Sequence, residues 1–146
     1  MRALIASFLL VTTAAAQTPR LPDFGAPAIN ATIAAIPAGA RRLPHCFETP
    51  AFIDCEYELG GVLYLVYGHA ITRKRIEVSA ASRFPFGLNA SQTPLEVRAA
   101  LASQFGSAEI SRRDDLTFVY AEPLTVVFAA DGRMRELILG YSTPED

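Results

Sequence analysis

The sequence predicts an α+β fold of two tandem units, each a helix plus a three-stranded antiparallel meander, forming one layer of sheet with the helices on one face. Three observations indicate it: apolar helix patterns that begin with proline, strands of alternating apolar residues, and glycine hairpin turns, in the same order in both halves. We place the units at 26–80 and 93–141, with a linker at 81–92 and a tail at 142–146. With 146 residues, 51% of them hydrophobic and 19% charged, the chain can bury such a core.

The N-terminus has the pattern of a signal peptide. Arg2 precedes an apolar run from Ala3 to Val11, and small residues follow up to Ala16. This run is shorter than the roughly 20 residues that cross a bilayer, and no later run is long enough. We therefore expect cleavage after Ala16, an extended leader at 17–25, no transmembrane segment in the mature chain, and a periplasmic or secreted location.

The two cysteines, Cys46 and Cys55, predict a disulfide, because an even cysteine count in an oxidising compartment usually forms bridges. The alternative is a metal site that adds His45 and His69, but the spacing matches no zinc pattern. We expect neither a metal ion nor a cofactor.

The first unit begins with a short predicted helix. Pro27 suits its first position and Pro37 prevents its continuation. Its apolar stripe consists of Ile29, Ile33 and Ile36. The stretch 38–50, rich in proline and glycine, is predicted to be a loop that the disulfide ties to the next strand.

Three predicted strands complete this unit. Residues 52–59 alternate apolar and acidic side chains, as a half-buried strand does. The hairpin turn Gly60-Gly61 then pairs Leu59 with Val62, Tyr57 with Tyr64 and Cys55 with Val66. The chain returns through 71–78 in a register that the sequence leaves open by one residue.

The second unit begins with a capping box, Thr93-Pro94-Leu95-Glu96, and its helix ends at Gly106. The helix stripe consists of Val97, Leu101 and Phe105. Strands are predicted at 116–120, 124–129 and 133–139, with turns at 121–123 and Asp131-Gly132. This register would place Leu116, Phe118 and Tyr120 on the same face as Leu124, Val126 and Phe128.

A pattern of glycine, apolar and aromatic positions runs through the second half. Its members are Gly87-Leu88, Thr93, Val97, Leu101, Phe105-Gly106, Tyr120, Leu124-Thr125-Val126-Val127-Phe128 and Asp131-Gly132-Arg133-Met134. This pattern resembles the SmpA/OmlA (BamE-like) envelope family, and a tandem pair of such units resembles the β-lactamase-inhibitory-protein architecture. The resemblance implies a binding or assembly role in the cell envelope. The sequence departs from the family in lacking the lipid-attachment cysteine of its outer-membrane members.

The charge distribution and the absence of catalytic motifs argue against nucleic-acid binding and enzymatic activity. The net charge is −2 and no basic stripe is present, so we expect no nucleic-acid partner. The short run Arg73-Lys74-Arg75 fits a solvated strand edge better than a phosphate site. No G-x-S-x-G, H-E-x-x-H or C-x-x-C motif occurs, so we expect no enzymatic activity.

The predicted strands are apolar on both faces, although the helices cover only one. A sheet face that stays uncovered and apolar marks an interaction surface. The predicted binding residues are Leu63, Leu65, Tyr67, Lys74, Val119, Val127 and Met134. We expect a non-enzymatic protein-binding module, as an inhibitor or an envelope-assembly adaptor. The alternatives are a small-molecule carrier with a pocket edged by Tyr67 and Lys74, and a face covered by the chain itself or by a second copy.

Overall fold

The computed structural model describes residues 27–80 and 84–140, which form one eight-stranded antiparallel sheet with one α-helix. The strands are β1 Arg41–Thr49, β2 Phe52–Leu59, β3 Val62–Gly68, β4 Ala70–Glu77, β5 Glu109–Arg113, β6 Leu116–Ala121, β7 Leu124–Phe128 and β8 Met134–Gly140. The helix α1 spans Pro94–Phe105. The predicted signal peptide at 1–16, the leader at 17–25 and the tail at 142–146 lie outside the described residues.

The predicted fold of two units, each a helix with a three-stranded meander, is wrong. The first predicted helix is only a 3₁₀ turn at Ile33–Ala35. The backbone of this segment bonds to the start of β4 instead: Asn30 N donates to Ile71 O, and Ile71 N donates to Ala31 O, both at 2.8 Å. These tertiary hydrogen bonds replace the local ones that a helix would need.

The sheet contains two strands that the sequence does not predict, β1 and β5, and both lie at its edges. All nine residues of β1, which lies in the predicted loop at 38–50, are exposed or half-buried, and the strand contains Pro44. β5 has a single apolar side chain, Ile110. Edge strands need no alternating apolar residues, so the period that reveals inner strands is weak in them.

The strand order is β1-β2-β3-β4-β8-β7-β6-β5. Each half of the chain forms a four-stranded meander, and the two meanders meet through their last strands, β4 and β8. This junction pairs Lys74 with Leu139 and Ile76 with Leu137. The two halves therefore share one continuous sheet.

The predicted register of the first hairpin is confirmed: Leu59 pairs with Val62, Tyr57 with Tyr64 and Cys55 with Val66. The sequence leaves the β3–β4 register open by one residue, and a bulge opposite Leu65 and Val66 determines it. Val62 then pairs with Ile76, and Val66 pairs with Ile71. Because of this extra residue, isoleucines at both ends of β4 point to the same face.

The predicted register of β6 and β7 is wrong by one residue. The turn consists of Glu122 and Pro123 only, so Ala121 belongs to β6 and pairs with Leu124. Val119 then faces Val126, and Phe118 and Tyr120 lie on the opposite side of the sheet. A slip of one residue exchanges the two faces of a strand.

One face of the sheet, which we call the helix face, carries the core. The helix α1 begins with the predicted capping box, ends at left-handed Gly106, and buries Val97 and Leu101. These side chains pack with Val119, Leu124, Val126, Phe128 and Leu137. A second cluster on the same face contains Cys55, Tyr64, Val66 and Ile71, against which Ile33 and Ile36 pack. We call the opposite side the open face.

Candidate functional site

Three of the predicted binding residues lie together on β3 and point to the open face. Leu63 and Leu65 are half-buried, and Tyr67 is 60% exposed. Their partners on β2 are Glu58, Glu56 and Asp54 in turn, which gives this half of the open face an apolar row beside an acidic row.

The predicted exposure of the other binding residues is wrong. Val119 and Met134 belong to the core of the helix face, because the β6 register differs by one residue and a bulge precedes Phe128 in β7. Val127 does point to the open face, opposite Phe118 and Glu136, but it is fully buried. The structure therefore does not bring these three side chains into one surface with Tyr67.

Lys74 is 1% exposed and is not at a solvated strand edge, because β4 lies in the middle of the sheet. Its Nζ donates to the carbonyl oxygen of Pro27 at 2.7 Å and lies 5.9 Å from the centre of the Tyr64 ring. Burial raises the pKa of the Tyr64 phenol above 10.0. Lys74 thus ties Pro27 to the helix face and does not line the open face with Tyr67.

An aromatic cluster of Phe47, Phe52 and Tyr67 lies at the end of the open face on β1, β2 and β3. The Phe52 and Tyr67 rings meet edge to face, with centres 4.8 Å apart, and the Phe47 ring lies 6.4 Å from that of Phe52. Phe47 is 62% exposed. The sequence does not reveal Phe47 as part of a surface, because the stretch 38–50 predicts a loop and only the pairing of β1 with β2 brings Phe47 and Phe52 together.

Acidic groups border this aromatic cluster. Asp54 faces both Phe47 and Tyr67 in the register and is exposed. Glu56 follows on the same face, and neither carboxylate has an ion-pair partner among residues 27–80 and 84–140. The cluster therefore combines exposed aromatic surface with negative charge.

The predicted disulfide is confirmed. Cys46 and Cys55 are direct partners on β1 and β2, with Cα atoms 4.2 Å apart, and they are bonded. Arg42 Nε donates to Cys46 Sγ at 2.7 Å and Arg42 also pairs with Glu48 at 2.8 Å. The bridge holds the edge strand that carries Phe47 against the rest of the sheet.

The metal alternative is not supported by the geometry of the described residues. The group of potential ligands that comes together is Cys46, Glu48 and Cys55, without either histidine. Both sulfur atoms of this group belong to the disulfide, so the thiolates that a metal ion needs are not available in this state.

No helix within 27–80 or 84–140 is long and apolar enough to cross a membrane. In comparisons with known proteins, no family model, no curated protein and no solved structure matches the chain. The resemblance to the SmpA/OmlA family therefore stays a prediction.

Proposed function

We propose that this chain is a non-enzymatic protein-binding module that acts in an extracytoplasmic compartment, with the aromatic cluster of Phe47, Phe52 and Tyr67 as its main contact surface. The observation that carries the proposal is the exposure of Phe47 and Tyr67, at 62% and 60%, within one packed cluster. Exposed aromatic groups of this kind supply much of the binding energy in protein interfaces.

The charges beside the cluster indicate the chemistry of the partner. Asp54 and Glu56 place two carboxylates beside the aromatic cluster, so a partner with basic side chains around an apolar patch would fit it. An arginine of the partner could both pair with Asp54 and lie on an aromatic ring of the cluster. An inhibitor and an envelope-assembly adaptor both need such a surface.

The cellular location is part of the proposal. A disulfide is stable in secreted and periplasmic proteins and rare in the cytosol, and Cys46–Cys55 supports such a location. We expect the signal peptide to be removed after Ala16. Mass spectrometry of the mature chain from its host would test this, since an uncleaved N-terminus contradicts it.

Binding can be tested with a matched pair of variants. The double variant Phe47→Ser/Tyr67→Ser removes the two exposed rings, and Leu95→Ser removes a 68% exposed leucine from α1. A partner captured from envelope extract would be purified, and its affinity measured by calorimetry. We expect the double variant to bind at least about tenfold more weakly and Leu95→Ser to bind like the wild type. Equal affinities for the wild type and the double variant would overturn the proposal.

A further inference from the structure

A second feature of the open face lies in the other half of the sheet and is separate from the aromatic cluster. It is a groove of about 280 Å³ that crosses the five strands β4, β8, β7, β6 and β5. Its lining residues include Arg73, Ser111, Arg113, Phe118, Tyr120 and Ile138. This volume is close to the lower end of known small-molecule sites. The groove exists because of the β6 register, which turns Phe118 and Tyr120 to the open face.

The base of the groove is apolar. The rings of Phe118 and Tyr120 are nearly parallel, with centres 5.8 Å apart and planes 14° from each other. Thr125 lies between Tyr120 and Ile138 in the register, so Ile138 continues this surface across β7 to β8. All of these side chains are half-buried, which leaves apolar area for a ligand to cover.

The rim of the groove is positively charged. Both charged residues among its described lining residues are arginines, Arg73 on β4 and Arg113 on β5, and no carboxylate is among them. Arg113 is exposed and has no ion-pair partner within the described ranges. Arg73 has contacts of its own, so Arg113 is the cation that is available to a ligand. Glu109 is opposite Tyr120 in the register but is not a lining residue.

We propose that this groove binds a small anionic amphiphile. Its carboxylate would pair with the guanidinium of Arg113, whose planar set of donors matches two carboxylate oxygens, and its apolar body would lie on the Phe118 and Tyr120 rings. A purely apolar ligand would leave the arginine rim unused, and a purely ionic one would leave the rings exposed. This proposal does not depend on the protein-binding surface around Tyr67.

The test uses octanoate, with octanol as its uncharged counterpart, in calorimetric titrations of the full mature chain. Arg113→Gln removes the charge at the rim, and Arg112→Gln is the matched control, because Arg112 is the exposed neighbour that does not line the groove. We expect wild type and Arg112→Gln to bind octanoate alike, and Arg113→Gln to bind it at least about tenfold more weakly. Octanol should bind wild type and Arg113→Gln equally.

Ring-proton NMR shifts give a second measurement that does not need a variant. Octanoate should shift the resonances of Phe118 and Tyr120 and leave those of Phe47 and Tyr67 unchanged. No saturable binding of octanoate, equal affinity of the two arginine variants, or shifts confined to Phe47 and Tyr67 would each overturn the proposal.

Discussion

Arg75 Nη2 on β4 donates to both carboxylate oxygens of Glu136 on β8, at 3.0 and 2.9 Å, across the junction of the two halves. Glu136 is also directly opposite Glu77 in the register. Two carboxylates that face each other across a strand pair repel, and the guanidinium of Arg75 offsets this repulsion. The pair therefore stabilises the junction between the two meanders.

Loss of this pair should weaken the whole sheet. Arg75→Gln leaves the Glu136 side chain, which is only 13% exposed, next to Glu77 without its cation. We expect a decrease of roughly 1–2 kcal/mol in the free energy of unfolding, measured in urea. The double variant Arg75→Gln/Glu136→Gln should lose less than the sum of the single variants. Additive losses would show that the two side chains do not interact.

The helix α1 should contribute to the stability of the fold through its buried side chains and not through its exposed ones. Leu101 is fully buried in the core, whereas Leu95 on the same helix is 68% exposed. We expect Leu101→Ala to cost roughly 2–5 kcal/mol, and Leu95→Ala to change stability by less than about 0.5 kcal/mol. Similar losses for both variants would mean that α1 packs on the sheet through another side.

The capping box predicts a pH dependence. Hydrogen bonds from the backbone N–H and the hydroxyl of Thr93 hold the pKa of the Glu96 carboxyl below its ordinary value of 4.5. Because the folded-state pKa is lowered, the stabilisation is complete above that ordinary value and is lost as the pH falls through the lowered one. The difference in Tm between wild type and Glu96→Gln should therefore shrink below about pH 4.5. A difference that stays constant between pH 6 and pH 3 would contradict this role.

The disulfide should stabilise the edge strand. Cys46 and Cys55 are 9 residues apart, and a closed loop of this size is worth roughly 2–3 kcal/mol in the chain-entropy model. We expect the Cys46→Ala/Cys55→Ala variant to lose about this amount and its melting curve to be unaffected by reductant. Identical melting curves of the wild-type protein with and without reductant would show that the bridge does not stabilise the fold.

Local sequence signals were sufficient to predict the β2–β3 hairpin and the helix α1. Gly60-Gly61 determines the β2–β3 register, and the spacing from Thr93 to Glu96 marks the start of the helix. The other elements that the sequence did not predict depend on pairing between segments distant in the chain. The segment around Ile33 bonds to β4 and does not form a helix, and β1 and β5 are strands because a neighbour pairs with them.

The side chains of the open face also differ in whether local sequence or non-local pairing determines their position. Tyr67 was predictable from the alternation of β3, because its register with β2 depends on one glycine turn. Phe47 and Phe52 meet it only after β1 adds to the sheet. The sequence predicts Phe118 and Tyr120 on the core face, and they lie on the open face because the turn before β7 contains Glu122 and Pro123 and not Ala121. A difference of one residue in the length of a turn therefore changes which side chains of the next strand pair lie on each face of the sheet.

Site-specific photo-crosslinking can test whether the open face around Tyr67 binds a protein. A photoreactive phenylalanine analogue would replace Tyr67 in one sample and Leu95 in another, since these side chains are exposed to a similar degree, 60% and 68%. After irradiation in the native compartment, we expect a discrete adduct from position 67 and none from position 95. An adduct from position 95 alone, equal adducts from both positions, or none from either would contradict the claim.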